Sequence, residues 1–207
     1  MDPYVNPFQK KMIEYQCRKL KTLVSNPSTF IDIGVGKIGS EAWFVKEIWP
    51  DCTIIGYEPC KQRYEYLKDS YPGHLINEAI ANSFSLEGYD GVDFVVSCRE
   101  EELGEYVPVR VGSTSLDDII ELLVDTKNVV VWADVEGSEL LILQGAEFSL
   151  QQGRIAALNL ELNSTRPAEG WCTADEVIEF LSRYNYEPFD LPKEQFTNTD
   201  VIFTKGK

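Results

Sequence analysis

The sequence predicts an α/β protein whose mainly parallel, doubly wound sheet has seven strands and carries helices on both faces. Three observations support this fold class. Strand-like and helix-like segments alternate along the chain, as they do in proteins with a parallel sheet. Residues 128–135 form an almost unbroken apolar run, typical of a central strand that is buried on both faces. A glycine-rich loop follows the first predicted strand, at a position where such sheets bind ligands.

Periodicity and chain breakers define the elements of the first half. The first helix is amphipathic because Ile13, Cys17 and Leu20 share one face, and Pro27 follows its end. We predict helices over 7–24, 40–48 and 61–71 and strands over 29–33, 53–57 and 74–81.

The second half is predicted to complete the sheet and to add an inserted β-hairpin at about 92–112, with an acidic tip. Ser115 has the position of a helix cap, and Thr173 with Glu176 has the spacing of a capping box. We predict helices over 116–124, 138–152 and 173–184 and sheet strands over 128–135, 155–162, 186–189 and 200–203.

Length and composition favour one soluble domain over residues 1–207, in which residues 1–28 form a helical extension. The formal net charge of -15 argues against nucleic-acid binding, because an acidic surface repels phosphates. Neither a signal peptide nor a membrane span is apparent, so we expect a cytoplasmic protein with no membrane partner. The five cysteines contain no C-x-x-C pair, which favours reduced thiols and no metal site.

The loop after the first strand is the first candidate binding site. Gly34, Gly36 and Gly39 match the G-x-G-x-x-G spacing of dinucleotide-binding loops, which alone is a weak signal. Asp32 precedes the first glycine and would repel a pyrophosphate. A carboxylate there would instead attract the sulfonium and amino cations of S-adenosylmethionine by on the order of a few kcal/mol. The loop, including Val35, therefore favours the methyl donor over a dinucleotide.

An acidic residue at the end of the second strand supports a nucleoside ligand. Glu58 follows the glycine loop by about 20 residues, the spacing at which a carboxylate accepts hydrogen bonds from ribose hydroxyls. Glu78 and Ala79, late in the third strand, are expected near the adenine ring.

Four segments then resemble the FkbM family of S-adenosylmethionine-dependent methyltransferases. They are F-I-D-I-G-V-G at 30–36, G-Y-E-P at 56–59, T-S-L-D-D-I at 114–119 and A-D-V-E-G-S-E-L from 133, followed by L-Q-G-A from 143. The resemblance spans about residues 30–162, and the order of the four segments makes a chance match improbable. It implies a Rossmann-like methyltransferase sheet and methyl transfer to oxygen, on a small or carbohydrate-like acceptor.

The end of the central strand supplies the candidate catalytic residues. Asp134 closes a buried apolar run, where an unpaired carboxylate is costly, and Glu136 lies two residues further on. Either residue is a candidate for the base that removes the hydroxyl proton, and a shared divalent metal is an alternative use of the pair. Substrate contacts are expected from Trp132, where the family often has lysine, and from Glu161 and Asn163 at the end of the next strand.

Two other functions remain open at this point. An NAD-dependent oxidoreductase would share the glycine loop, although no Tyr-x-x-x-Lys pair is visible. A cofactor-binding module without catalytic activity is the other alternative, and Trp132 in place of lysine favours it. The sequence gives no indication of the oligomeric state.

Overall fold

The computed structural model describes residues 7–82, 93–100, 105–166 and 170–206. Helices and strands alternate along the described part of the chain, and none of these helices is long and apolar enough to cross a membrane. The helices are α1 (Pro7–Leu23), α2 (Ser40–Ile48), α3 (Lys61–Leu67), α4 (Leu116–Glu121), α5 (Glu139–Gln144), α6 (Glu147–Gln152) and α7 (Ala174–Ser182). The strands are β1 (Thr29–Ile33), β2 (Thr53–Tyr57), β3 (His74–Ile76), β4 (Ala79–Ile80), β5 (Asp93–Glu100), β6 (Glu105–Thr114), β7 (Val129–Ala133), β8 (Ile155–Leu162), β9 (Tyr186–Phe189) and β10 (Thr199–Lys205).

The main sheet contains seven strands in the order β3-β2-β1-β7-β8-β10-β9. The five strands from β3 to β8 are parallel, and β10 and β9 continue the sheet in antiparallel pairs. The predicted fold class is therefore confirmed. The chain moves outward in one direction from β1 to β3 and in the other from β7 to β9. This switch point places a crevice at the carboxyl ends of β1 and β7.

Side chains alternate between two apolar cores, one on each face of the sheet. Phe30 and Trp132 face the layer built by α1 and α2, whereas Ile31 and Val131 face the layer built by α4 to α7. This separation fixes the register, because a shift by one residue would move each side chain into the core on the other face, where it does not fit.

The predicted third strand, 74–81, is wrong in its length. β3 ends at Ile76, and β4 joins a separate small sheet in which it pairs with the end of β6. Asn77 causes the change of direction, because its side-chain amide donates to the carbonyl oxygens of Glu58 at 2.8 Å and Pro59 at 3.1 Å. The strands of the inserted hairpin pair antiparallel from Asp93↔Gly112 to Glu100↔Glu105, and the tip at 101–104 lies outside the described residues.

The predicted helix over 138–152 is also wrong, because it is two helices, α5 and α6. Asp117 of α4 explains the break: its carboxylate accepts hydrogen bonds from the backbone N–H groups of Phe148 at 2.9 Å and Ser149 at 2.7 Å. These contacts cap α6 from a distant part of the chain, which no local sequence pattern reveals. The helices α3 and α4 also end several residues earlier than predicted.

Candidate active site at the carboxyl edge of the sheet

The loop after β1 packs directly against the chain that leaves β7. Gly34 has a φ of +81°, and a Cβ atom there would collide with the carbonyl oxygen of Asp134. The Asp134 N–H donates to the carbonyl oxygen of Ile33 at 3.1 Å, which continues the pairing of the two strands. Only glycine fits this approach. The contact therefore brings the candidate cofactor loop and the candidate catalytic segment together.

Glu58 holds the next part of the same loop. One carboxylate oxygen accepts from the Gly36 N–H and the other from the Cys60 N–H, both at 2.8 Å. The side chain is 1% exposed, and burial raises its pKa while these two bonds oppose the rise. A carboxylate has about four acceptor sites, so two remain for ribose hydroxyls. A Cβ at Gly36 would meet nothing closer than Gly34 O, at 3.9 Å, which leaves space for a ligand beside the loop.

Asp32 lies beneath this loop and is 2% exposed. Burial raises its pKa to about 7, Asp134 and Glu58 add to the rise, and a hydrogen bond from Tyr71 opposes it. The Tyr71 hydroxyl donates to Asp32 Oδ2 at 2.9 Å. The sequence contained no signal for Tyr71, because it lies 39 residues away and reaches Asp32 only through the fold.

The segment after β7 turns sharply and presents its acids to the crevice. Asp134 is exposed, which corrects the expectation of a buried carboxylate, because the strand ends at Ala133. Nearby protein atoms nevertheless exclude much of the water around its carboxyl group. This desolvation, together with the charge of Glu136, raises the pKa of Asp134 to about 7. Glu136 is also exposed, and its φ of 53° is uncommon for a residue other than glycine.

Glu139 shapes this turn from inside. It is 1% exposed, and its Oε1 accepts from the Val135 N–H at 3.3 Å and the Gly137 N–H at 3.4 Å. The Cys172 thiol donates to its other oxygen at 3.4 Å. Trp171 closes the far side, because a Cβ at Gly137 would collide with the indole ring. Buried contacts therefore fix the turn that carries Asp134 and Glu136.

Three further carboxylates lie near Asp32 and Asp134. Glu161, at the end of β8, is half-buried and its pKa is raised to about 8 by burial and by Asp134. Asp200 faces Glu161 across the β8–β10 pair, and burial raises its pKa. Burial and Asp32 raise the pKa of Glu41, in the first turn of α2. Sequence reasoning found Glu161 but missed Glu41 and Asp200, which meet the others only through strand pairing and helix packing.

Two predicted substrate contacts have structural roles instead of facing the crevice. Trp132 is 3% exposed and packs edge-on against Phe30, with ring centroids 6.4 Å apart. Asn163 is 4% exposed, and its Oδ1 accepts from the Asn198 N–H at 2.8 Å. Both side chains are therefore used within the protein.

The residues expected near the adenine lie where the third strand ends. Glu78 is half-buried beside Gly112 of the hairpin, and Ala79 is buried in β4. His74 begins β3, at the end of the sheet away from the crevice. Within the described ranges, no group of three or more metal-binding side chains is close enough to hold an ion.

Comparisons with known proteins agree with this architecture. A family model described as the methyltransferase FkbM domain matches residues 32–188, which include the glycine loop, Glu58 and the segment after β7. Comparison with curated proteins finds no match.

Solved structures share the fold at low sequence identity. A precorrin-6y C5,15-methyltransferase from Geobacter metallireducens GS-15 is 15% identical, covers 99% of this chain and 91% of its own, and has a TM-score of 0.50. An rRNA methylase from Streptococcus thermophilus is 12% identical, with coverage of 95% and 97% and a TM-score of 0.51. A methyltransferase from Geobacter sulfurreducens is 10% identical, with coverage of 98% and 80% and a TM-score of 0.50. At these identities the likeness shows the fold alone.

The raised pKa values predict how stability changes with pH. Asp32, Asp134 and Glu161 have pKa values of about 7, 7 and 8, so between about pH 4 and pH 8 the folded chain binds more protons than the unfolded chain. The free energy of unfolding of the ligand-free protein should therefore fall as the pH rises through this window. We expect a loss on the order of a few kcal/mol, discounted for the solvent access of Asp134 and Glu161.

Urea unfolding at a series of pH values from 5 to 8 measures this slope. Asp32→Asn should flatten it, whereas Asp175→Asn, at an exposed position in α7, should leave it unchanged. A free energy of unfolding that is constant or rises over this range would contradict the prediction.

Proposed function

The chain belongs to the FkbM methyltransferase family, whose methyl donor is S-adenosylmethionine, and from this we propose that it methylates a hydroxyl oxygen on a small or carbohydrate-like acceptor. The observation that carries the proposal is the position of Asp134. Asp134 is an exposed residue at the carboxyl end of β7, while its backbone touches Gly34 of the cofactor loop. A proton acceptor is therefore held beside the loop that would carry the methyl donor.

The proposed cofactor contacts follow the strand ends. The loop from Gly34 to Gly36 would lie against the nucleoside and the amino-acid part of the cofactor, with Glu58 accepting from the ribose hydroxyls. The Asp32 carboxylate lies beneath the loop and would attract the positive charge of the cofactor. Glu78 and Ala79 would lie near the adenine.

The chemistry requires alignment and removal of one proton. The bound cofactor supplies an activated methyl group on a sulfonium. The cofactor, when bound, would transfer this methyl group to the acceptor oxygen with its sulfur as the leaving group, and the Asp134 carboxylate would take the hydroxyl proton. A pKa of about 7 suits this role, since the carboxylate is then a base of useful strength near neutral pH. Glu136 and Glu161 would adjust the pKa of Asp134 or relay the proton away from it.

Family membership decides between the cofactors but not between the acceptors. The oxidoreductase alternative loses its support, because the glycine loop lies within the matched methyltransferase domain. The acidic charge of the crevice supports a small acceptor over nucleic acid. An RNA acceptor would appear as methylation of RNA by the purified protein, and that result would replace this part of the proposal.

Calorimetry tests the cofactor contacts. We expect S-adenosylmethionine and S-adenosylhomocysteine to bind and NAD not to bind. Glu58→Gln should weaken both affinities by roughly tenfold, because the amide replaces one acceptor oxygen with a donor and disturbs the bond to Gly36. Glu65→Gln, on the exposed face of α3, is the matched control. Binding of NAD without binding of the methyl donor would overturn the proposal.

A second variant separates catalysis from binding. Asp134→Asn should reduce methyl transfer by about 100-fold or more, because the amide cannot take the hydroxyl proton, and should leave S-adenosylhomocysteine affinity within about twofold. Methyl transfer from labelled S-adenosylmethionine to a panel of hydroxylated compounds measures the rate. A variant as active as the original chain would remove Asp134 from the role of base. A complete lack of turnover by the original chain would favour a binding module.

A further inference from the structure

The phenol of Tyr71 reaches Asp32 from the segment between α3 and β3. Tyr71 is 8% exposed, and its hydroxyl donates to Asp32 Oδ2 at 2.9 Å. Its backbone N–H donates to the carbonyl oxygen of Leu67 at 2.9 Å, so the end of α3 fixes where the side chain begins. Two residues further on, a Cβ atom at Gly73 would collide with Ile54 of β2. The backbone on both sides of the tyrosine is therefore held in place.

A glycine in the neighbouring strand leaves the space that this contact needs. Gly56 of β2 pairs with Asp32 of β1, so the two positions lie side by side on one face of the sheet. A Cβ atom at Gly56 would lie 2.5 Å from the Tyr71 hydroxyl oxygen, which is too close for the two atoms to coexist. The φ of Gly56 is not positive, so its backbone conformation does not require glycine. The phenol is the reason that residue 56 has no side chain.

The third glycine of the G-x-G-x-x-G spacing contacts the same ring. Gly39 precedes α2 with a φ of +57°, and a Cβ atom there would lie 3.0 Å from two ring carbons of Tyr71. In a dinucleotide-binding loop this glycine allows the helix to pack closely against the strand. Here the space beside it holds an aromatic ring that carries a hydrogen-bond donor for Asp32. The cofactor loop and two strands therefore meet around one side chain.

The groups around Asp32 oppose its negative charge, and the phenol favours it. Four further groups that titrate as acids interact electrostatically with Asp32: Glu58 at the end of β2, Asp134 after β7, Glu41 of α2 and Cys17 of α1. Burial and the nearby acids raise the pKa of Asp32, and the hydrogen bond from Tyr71 opposes the rise. Burial and Asp32 raise the pKa of Tyr71 well above its usual value, so the hydroxyl keeps its proton and remains a donor at neutral pH.

From these contacts we infer that Tyr71 is a positioning residue whose hydroxyl holds the Asp32 carboxylate in its charged form beneath the cofactor loop, so that the methyl donor binds in preference to the demethylated product. This inference rests on the proposed function and adds a residue that sets the selectivity of the cofactor site. S-adenosylmethionine carries one net positive charge, whereas S-adenosylhomocysteine is neutral overall. A charged Asp32 therefore favours the donor, and an Asp32 that takes up a proton loses this preference.

Calorimetry with both ligands between about pH 6 and pH 9 tests the inference on the full chain. Donor affinity should rise as the pH rises through the pKa of Asp32, because the ionised carboxylate attracts the donor. Tyr71→Phe keeps the ring and removes the hydrogen-bond donor. It should move this rise upward by about one pH unit and weaken donor binding at pH 7 by about fivefold. S-adenosylhomocysteine affinity should stay within about twofold.

A second variant reaches the same contact from the other side. Gly56→Ala retains the phenol but pushes its hydroxyl away from the carboxylate, so it should give a shift in the same direction. Tyr66→Phe, at an exposed tyrosine of α3, is the matched control and should leave the pH profile unchanged. Circular dichroism checks that each variant folds.

A double-mutant cycle shows whether the phenol acts through Asp32. The amide in Asp32→Asn stays neutral, so the further change Tyr71→Phe should not shift the pH profile in that background. Asp134 and Glu58 titrate in all the proteins of the cycle, and the comparison therefore isolates the pair.

Three results would overturn the inference. An unshifted profile in Tyr71→Phe means that the phenol does not control the charge of Asp32. An equal loss of affinity for both ligands at every pH means that the phenol is only structural. The same shift in the Asp32→Asn background means that it acts through another acid. If the original chain binds neither ligand, the proposed methyltransferase function fails first, whereas normal binding with an unshifted profile overturns this inference alone.

Discussion

Repulsion between partly desolvated carboxylates is the constraint on which the account of this crevice depends. Asp32, Asp134 and Glu161 each have a pKa raised to about 7 or above, with burial as the largest cause and neighbouring acids as the next. Such an arrangement lowers stability at neutral pH, so a fold selected for stability alone would not favour it. A cationic ligand converts the same repulsion into attraction, because these three carboxylates take part in none of the ion pairs among the described residues.

Buried backbone contacts hold these acids in place without neutralising them. The glycine at 34 lets two loops touch, Glu58 fixes the Gly36 N–H, and Glu139 fixes the turn after β7 from beneath. Each contact uses a backbone donor and leaves the side chains at the surface of the crevice free to meet a ligand. The site is therefore rigid in its frame and electrostatically unsatisfied, which suits the binding of a positively charged cofactor and the removal of a proton from its acceptor.

The local sequence pattern was sufficient to predict most strands of the sheet. It was insufficient wherever a contact with a residue distant in sequence decides the structure. The strands 29–33, 53–57 and 155–162 were predicted with the observed bounds, since each is an apolar run between chain breakers. The helical segment after β7 was predicted as one helix but is two, because Asp117 of α4 caps the beginning of α6. The glycine loop and Glu58 could be found from spacing. Glu41, Tyr71 and Asp200 could not, because only the folded sheet brings them to Asp32 and Glu161. The burial of Trp132 could not be predicted, because alternation along the strand gives the face of a side chain but not whether helices cover that face.

Proton release on cofactor binding tests the central claim most directly. Calorimetry near pH 7 in buffers of different ionisation enthalpy gives the number of protons exchanged when S-adenosylmethionine binds, and S-adenosylhomocysteine is the matched ligand without the sulfonium charge. A cation that binds beside protonated carboxyl groups favours their ionised form. The account predicts net proton release with S-adenosylmethionine, less release with S-adenosylhomocysteine, and a smaller difference in Asp32→Asn. Proton uptake, or equal exchange with both ligands, would contradict it.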